Sequence, residues 1–111
     1  MKIMVVDDSP RIRKLLRILI DNKNDFSECG SGTEAIKKYA EFLPDWVLMD
    51  IEMPEMDGFE ASSKILADYP NAKILMVTQY DEPEFRRKAE KIGIVDYILK
   101  DNLNRVLEYV N

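Results

Sequence analysis

Residues 2–19 read KIMVVDDSPRIRKLLRIL, and this stretch decides the kind of fold. Residues 3–6 form a short, continuous apolar run, which is typical of a strand covered on both faces. Ser9 then has the chemistry of a helix N-cap, and Pro10 suits the first helical position. Apolar residues three and four apart follow, and they predict a helix that ends near Asn22. The stretch is therefore one strand–helix unit.

The same unit recurs along the rest of the chain. The further strands are predicted over Asp25–Cys29, Trp46–Met49, Lys73–Val77 and Val95–Leu99. The further helices are predicted from Ser31 to Pro44, from Phe59 to Asp68, from Glu82 to Gly93, and over Leu103–Val110. Strict alternation of apolar strands with helices indicates an α/β fold with a parallel sheet between two helical layers. Five such units favour the doubly wound, flavodoxin-like order 2-1-3-4-5, in which ligands bind beyond the carboxyl ends of the strands.

Length and composition limit the classes of protein that fit. The 111 residues suit a single domain over 1–111, and the net charge of −5 argues against direct binding of nucleic acid. The chain has no histidine, which excludes a histidine-based catalytic triad and a histidine metal site. Cys29 is the single cysteine, and we expect it to be a small buried filler. The one early apolar run is too short for a signal peptide or a membrane span, so we expect a cytoplasmic protein without membrane contact.

Charged or hydroxyl-bearing residues follow most of the predicted strands. They are Asp7 and Asp8 after the first strand, Asp50 after the third, Thr78 after the fourth and Lys100 after the fifth. All of these positions share one edge of a parallel sheet, so we expect the three carboxylates to converge. Two unit charges about 4 Å apart repel each other by roughly 4 kcal/mol at an effective dielectric of about 20. Such a cluster needs a cation, or a proton on one member.

An all-oxygen site of this kind suits Mg²⁺, which keeps coordination positions open for phosphate oxygens. Lys100 supplies an ammonium group and Thr78 a hydroxyl donor, and both can hold a phosphoryl group. A carboxylate can itself accept a phosphoryl group and become an aspartyl phosphate. The residues therefore predict metal-assisted phosphoryl transfer to an aspartate.

Several short motifs in a fixed order identify a known family. They are Asp7-Asp8, Asp50, Met53-Pro54, Met56-Asp57-Gly58, Thr78 and Tyr97-Ile98-Leu99-Lys100. Over essentially its whole length the chain resembles the receiver domain of two-component response regulators, which has the CheY-like fold. The pair Lys100-Asp101 replaces the commoner lysine–proline pair, so we expect no cis peptide bond there. This pair is similar to the branch of the family that carries a DNA-binding helix-turn-helix output domain.

The resemblance implies a role for each residue of the acidic cluster. Asp50 would be the phosphoacceptor, and its donor would be the phosphohistidine of a sensor histidine kinase or phosphotransfer protein. Asp7, Asp8 and Asp50, with the backbone carbonyl of Glu52, would hold Mg²⁺. The protein would not be an enzyme in the ordinary sense, because it would catalyse only its own phosphorylation and dephosphorylation.

The resemblance also implies a switch. Lys100 would pair with the phosphate, Thr78 would swing toward it, and Tyr97 would follow inward. This movement would repack the face formed by the fourth helix, the fifth strand and the last helix, where an output domain or a partner protein would bind. A phosphorylation-dependent dimer is a further expectation. Beside the site, Gln79 is larger than the residue usual there and would crowd access by the phosphodonor. Tyr80 would shield the acyl phosphate from water.

The sequence has three alternatives to a phosphorylated receiver. A degenerate receiver would act as an interaction module without phosphorylation. A haloacid-dehalogenase-like phosphatase also uses a strand-end aspartate with Mg²⁺, but Asp50-Ile51-Glu52 lacks the second aspartate of its motif. A flavin-binding module would need a phosphate-binding loop after the first strand, where the pair Asp7-Asp8 would repel phosphate.

Overall fold

Strands and helices alternate throughout the computed structural model, which describes residues 1–20 and 22–110. The strands are β1 (Lys2–Val6), β2 (Asp25–Cys29), β3 (Trp46–Met49), β4 (Ile74–Thr78) and β5 (Asp96–Leu99). The helices are α1 (Pro10–Leu19), α2 (Gly32–Phe42), α3 (Gly58–Asp68), α4 (Pro83–Ile92) and a C-terminal 3₁₀ helix (Lys100–Glu108). The strands form one parallel sheet in the order β2-β1-β3-β4-β5, so the predicted doubly wound topology is confirmed.

Side-chain caps begin three of the helices. The side-chain oxygens of Ser9, Ser31 and Asp57 each accept a hydrogen bond from the backbone N–H three residues later. Each bond satisfies a donor that the first turn of a helix leaves unpaired. The predicted caps at Ser9 and Ser31 are therefore confirmed.

Several element ends differ from the prediction by one to three residues; β4, for example, runs over Ile74–Thr78 rather than Lys73–Val77, so Thr78 is its last residue. Helix α1 ends at Leu19 rather than near Asn22, because Ile20 leaves the helical conformation and buries its side chain in the core. Strand β5 begins at Asp96 rather than at Val95, whose side chain is 47% exposed. The predicted domain end at residue 111 lies outside the described residues.

The last helix differs from the prediction in both position and type. It starts at Lys100, directly after β5, and it is a 3₁₀ helix with a kink at Asn102 (φ −138°, ψ 50°). Leu103 and Val106 are three residues apart, which matches the 3₁₀ repeat and keeps both on the face toward the sheet. The described residues contain no cis peptide bond, as the sequence at Lys100-Asp101 led us to expect.

The core has one layer on each side of the sheet. Met4 and Val6 of β1 point to the side covered by α2, α3 and α4, whereas Ile3 and Val5 point to the side covered by α1 and the C-terminal helix. Cys29 lies in the first layer and is 1% exposed, which confirms its role as a buried filler. None of the described helices combines the length and hydropathy needed to cross a bilayer.

Candidate functional site

Three aspartates meet at the edge of the sheet where the carboxyl ends of β1 and β3 lie side by side. Asp7 and Asp8 follow β1, Asp50 follows β3, and one carboxylate oxygen of each lies within 4.8 Å of the others. Asp7 and Asp50 are almost fully buried, whereas Asp8 is exposed. The structure thus brings together the carboxylates that the sequence predicts to converge.

The ammonium group of Lys100 reaches two of these carboxylates. Its Nζ lies 2.8 Å from Oδ2 of Asp7 and 3.3 Å from Oδ2 of Asp50. Burial, and then the negative charge of Asp7, raise the pKa of Asp50 to about 6. Burial alone would lower the pKa of Lys100, but its hydrogen bond to Asp7 and the charges of both aspartates outweigh burial and raise it. The lysine therefore stays charged, whereas the ionised form of Asp50 is destabilised by its surroundings.

The charge balance and donor set fit a hard divalent cation. When ionised, Asp7, Asp8 and Asp50 carry three negative charges, and Lys100 supplies one positive charge, so two negative charges are left over. Carboxylate oxygens are typical ligands of Mg²⁺. The cluster therefore has both the oxygen ligands and the charge deficit that a Mg²⁺ site requires.

The backbone holds these carboxylates in place. Oδ1 of Asp7 accepts the N–H of Ser9, and Oδ1 of Asp50 accepts the N–H of Ile51, each at 2.8 Å. Gly58 packs closely against the same backbone. A Cβ atom at this position would lie only 1.9 Å from the carbonyl oxygen of Asp50. The glycine of the Met56-Asp57-Gly58 motif is thus required for close packing beneath the site.

Glu52, Gln79 and Tyr80 line the same open pocket as the aspartates and Lys100, with a volume of about 260 Å³. The Tyr80 hydroxyl donates a hydrogen bond to the Glu52 carboxylate, and this bond raises the pKa of Tyr80. The bond joins the loop after β3 to the loop after β4 across the pocket. The residues expected to control access therefore do stand at the pocket.

Thr78 and Tyr97 are placed differently from the pocket residues. Thr78 is fully buried, and its hydroxyl oxygen accepts the backbone N–H of Tyr80 at 3.2 Å. The buried Tyr97 donates its hydroxyl to the backbone carbonyl of Tyr80 at 2.5 Å. The structure does not bring Thr78 into the pocket, but it links Thr78 and Tyr97 through the backbone of one residue.

Sequence reasoning missed Arg13. Its Nη1 donates to the backbone carbonyl of Asp7 at 2.6 Å, and its Nε donates to Glu28 of β2 at 3.0 Å. Arg17 binds the other carboxylate oxygen of Glu28 at 2.7 Å. A basic residue on an amphipathic helix usually indicates a solvated face, so the pattern of α1 held no signal for this contact.

The comparison with known protein families matches residues 3–111 to the response regulator receiver domain. The chain belongs to this family. It is 39% identical over 112 residues to the chemotaxis protein CheY of Listeria monocytogenes, covering 97% of this chain and 93% of that protein. The match favours the receiver interpretation over the phosphatase and flavin-binding alternatives.

Two further comparisons define the relatives of this receiver domain. The chain is 38% identical to the transcriptional regulatory protein YhcZ of Bacillus subtilis, covering 91% of this chain and 49% of that protein. It therefore spans about half the length of this relative. It also matches a structure of the CheX-CheY-BeF3-Mg²⁺ complex from Borrelia burgdorferi, with a TM-score of 0.89 and 27% identity. This match covers 97% of this chain and 84% of that chain. The CheY-like fold is thus confirmed.

Proposed function

We propose that Asp50 of this receiver domain accepts a phosphoryl group, in a Mg²⁺-dependent reaction, from the phosphohistidine of a sensor histidine kinase or phosphotransfer protein. The observation that carries the proposal is the position of Asp50, which is buried beside Asp7, facing Lys100, in an open pocket. Lys100 holds Asp7 at 2.8 Å but Asp50 only at 3.3 Å. Asp50 is therefore the buried acid that is less firmly paired and better able to form a new bond.

Each group in the pocket has a part in this transfer. A carboxylate oxygen of Asp50 forms the new bond to phosphorus while the bond from phosphorus to the donor imidazole breaks. Lys100 pairs with an oxygen of the transferred group. Asp7, Asp8 and Asp50, with the backbone carbonyl of Glu52, would hold Mg²⁺, and this ion supplies positive charge that offsets the charge on the phosphoryl oxygens. The domain carries out only its own phosphorylation and dephosphorylation.

The hydrogen bonds around Tyr80 support a switch. When the Thr78 hydroxyl turns toward the phosphoryl group, the N–H of Tyr80 loses its acceptor, and the Tyr80 backbone is free to move. Tyr97 follows because its hydroxyl is bound to the carbonyl of the same residue. Tyr97 lies on β5 between α4 and the C-terminal helix, so its movement repacks this face, where we place the contact with an output domain or partner protein.

Phosphorylation by a small donor tests the proposal. Acetyl phosphate with Mg²⁺ should add one phosphoryl group that is stable to acid and labile to base, measured by intact mass. Asp50→Asn should abolish the gain, whereas Asp101→Asn, which removes an exposed aspartate beside Lys100, should leave it unchanged.

Two outcomes would contradict the proposal. An equal gain in Asp50→Asn would show that another residue is the acceptor. A wild-type chain that gains nothing, from acetyl phosphate or from a phosphorylated kinase, would favour the degenerate receiver that acts without phosphorylation.

A further inference from the structure

Arg13 reaches back from the first turns of α1 to the end of β1. Its Nη1 lies 2.6 Å from the carbonyl oxygen of Asp7, and its Nε lies 3.0 Å from Oε1 of Glu28. The Arg13 side chain is 19% exposed and the Glu28 side chain is 31% exposed, so these bonds are partly buried. One guanidinium group thus joins α1, the end of β1 and β2.

The carbonyl that Arg13 binds belongs to the peptide group between Asp7 and Asp8. A peptide group is planar, so fixing its oxygen also fixes its N–H end and the direction in which the chain enters Asp8. The side chain of Asp7 has its own anchors, since Ser9 binds Oδ1 and Lys100 binds Oδ2. Within residues 1–20 and 22–110, no hydrogen bond or ion pair is found for the exposed carboxylate of Asp8. The direction of that carboxylate therefore depends on the backbone that carries it.

The shape of the arginine side chain suits this task. A guanidinium group is a planar fork that donates in fixed directions, so it can bind the Asp7 carbonyl and the Glu28 carboxylate at once. Hydrogen bonding from Arg17, against an opposing effect of burial, and then from Arg13 holds the pKa of Glu28 below its usual value. Glu28 is thus a charged partner that keeps the fork in position.

We propose that Arg13 is a positioning residue for the Mg²⁺ site: it fixes the peptide between Asp7 and Asp8 so that the Asp8 carboxylate points into the acidic cluster. This inference rests on the proposed function, because it assigns Mg²⁺ to that cluster. Mg²⁺ demands a near-ideal octahedral set of oxygens, so a small rotation of this peptide weakens binding. Residues that orient metal ligands commonly change metal affinity about 10- to 100-fold when replaced.

The chain offers a matched control. Arg17 binds the other oxygen of Glu28, at 2.7 Å, and no contact between Arg17 and Asp7 is found in the described residues. Arg13→Met and Arg17→Met each remove one guanidinium partner of Glu28, but only Arg13→Met also removes the bond to the Asp7 carbonyl. Arg13→Lys keeps the positive charge but replaces the fork by a single ammonium group.

The test is the dissociation constant of Mg²⁺, obtained from isothermal titration and from the rise of the unfolding temperature with MgCl₂ concentration. We expect Arg13→Met to weaken Mg²⁺ binding at least about tenfold, Arg13→Lys to recover only part of the loss, and Arg17→Met to stay within about twofold of wild type. Unfolding in metal-free buffer measures any general loss of stability separately.

The outcomes separate this inference from the proposed function. If wild type does not bind Mg²⁺, the proposed metal site itself fails. If wild type binds Mg²⁺ and Arg13→Met binds it equally well, the positioning role is wrong. Equal losses of Mg²⁺ affinity in Arg13→Met and Arg17→Met would assign the effect to Glu28, and the positioning role of Arg13 would again be wrong. Should Arg13→Met not fold, Arg13→Lys decides, since wild-type affinity in that variant would show that the fork is not needed.

Discussion

Two charged clusters of this receiver domain are built in opposite ways. At the ends of β1 and β3, burial and the charge of Asp7 raise the pKa of Asp50 to about 6. On β5, Asp96 lies 2.6 Å from Nη2 of Arg105 and also accepts the hydroxyl of Tyr109. Burial alone would raise the pKa of Asp96, but its hydrogen bonds, led by that of Tyr109, outweigh burial and lower it. The protein therefore destabilises the ionised form of aspartate in one cluster and stabilises it in the other.

The difference separates a structural ion pair from a binding site. The carboxylate of Asp96 pairs with Arg105, which also binds Glu108, and accepts the Tyr109 hydroxyl, so groups of this chain already stabilise its charge. The acidic cluster around Asp50 has more negative than positive charge, so its stability improves when a cation or a proton enters. An uncompensated buried charge is therefore the physical mark of the site.

The largest expected effect comes from moving the backbone beneath Asp50. Gly58→Ala should lower the free energy of unfolding by about 3 kcal/mol, because the new Cβ atom would lie 1.9 Å from the Asp50 carbonyl oxygen. Urea unfolding measures the loss. Gly30→Ala is the control, since its Cβ atom would meet Arg13 only at 3.8 Å and should change stability by no more than about 0.5 kcal/mol. Similar values for the two variants would contradict the close packing described here.

The same substitution in the two clusters should have opposite signs. In metal-free buffer, Asp50→Asn should raise the free energy of unfolding by about 1–2 kcal/mol, because it removes a charge that burial and Asp7 disfavour. Asp96→Asn should lower it by about 1–2 kcal/mol, because it removes the half-buried charge that pairs with Arg105 and accepts the Tyr109 hydroxyl, and leaves Arg105 only its more exposed partner Glu108. Urea unfolding of the two variants side by side measures both. Two changes of the same sign would remove the distinction between the clusters.

The pH dependence of the free energy of unfolding should also differ between Asp50 and Asp96. The pKa of Asp50 is about 6 in the folded chain against an ordinary value of 3.8, so between these values the folded state binds the extra proton. The contribution of Asp50 to the free energy of unfolding therefore rises as the pH falls through about 6. Asp96 has a lowered pKa, so its contribution is complete above its ordinary value of 3.8 and is lost only as the pH falls through its folded pKa.

Metal-free unfolding at about pH 7 and about pH 5 tests this prediction. The stability gain of Asp50→Asn over wild type should shrink at the lower pH, where wild-type Asp50 is already protonated. The loss in Asp96→Asn should be the same at both values. A gain in Asp50→Asn that does not depend on pH would show that the charge of Asp50 is not its cause.

The smallest expected effect concerns the lifetime of the phosphorylated state. The pocket beside the acidic cluster opens to solvent, and Tyr80 lines it, bonded to Glu52. Tyr80→Ala should speed hydrolysis of the acyl phosphate roughly threefold, which is less than about 1 kcal/mol of activation free energy. Tyr80→Phe keeps the ring but loses the bond to Glu52, so it separates shielding from hydrogen bonding. The decay of the phosphorylated mass measures the rate, and an unchanged rate in Tyr80→Ala would dispose of the shielding role.

The sheet and the acidic cluster could be predicted because local sequence encodes them. Each strand is an apolar run, and the change from Val6 to Asp7 and from Met49 to Asp50 marks where two of them end. Once the alternation of strands and helices indicates a parallel sheet, those ends must share one edge. The convergence of the aspartates follows from topology alone.

The remaining features of the site depend on contacts between residues that are distant in sequence. The approach of Gly58 to the Asp50 backbone and the bond from Tyr80 to Glu52 arise only after the loops have packed. The 3₁₀ form of the C-terminal helix was missed for a different reason. The spacing of three between Leu103 and Val106 fits both helix types, so it could not distinguish them.

The burial of Cys29 has a practical consequence. Burial raises the pKa of its thiol to about 12, so almost none of it is thiolate, the form that alkylating reagents attack, at neutral pH. A cysteine introduced at an exposed position such as Val95, beside α4, would then react selectively with a fluorophore or spin label. Labels can thus be attached at the α4–β5 surface for spectroscopy without first replacing Cys29.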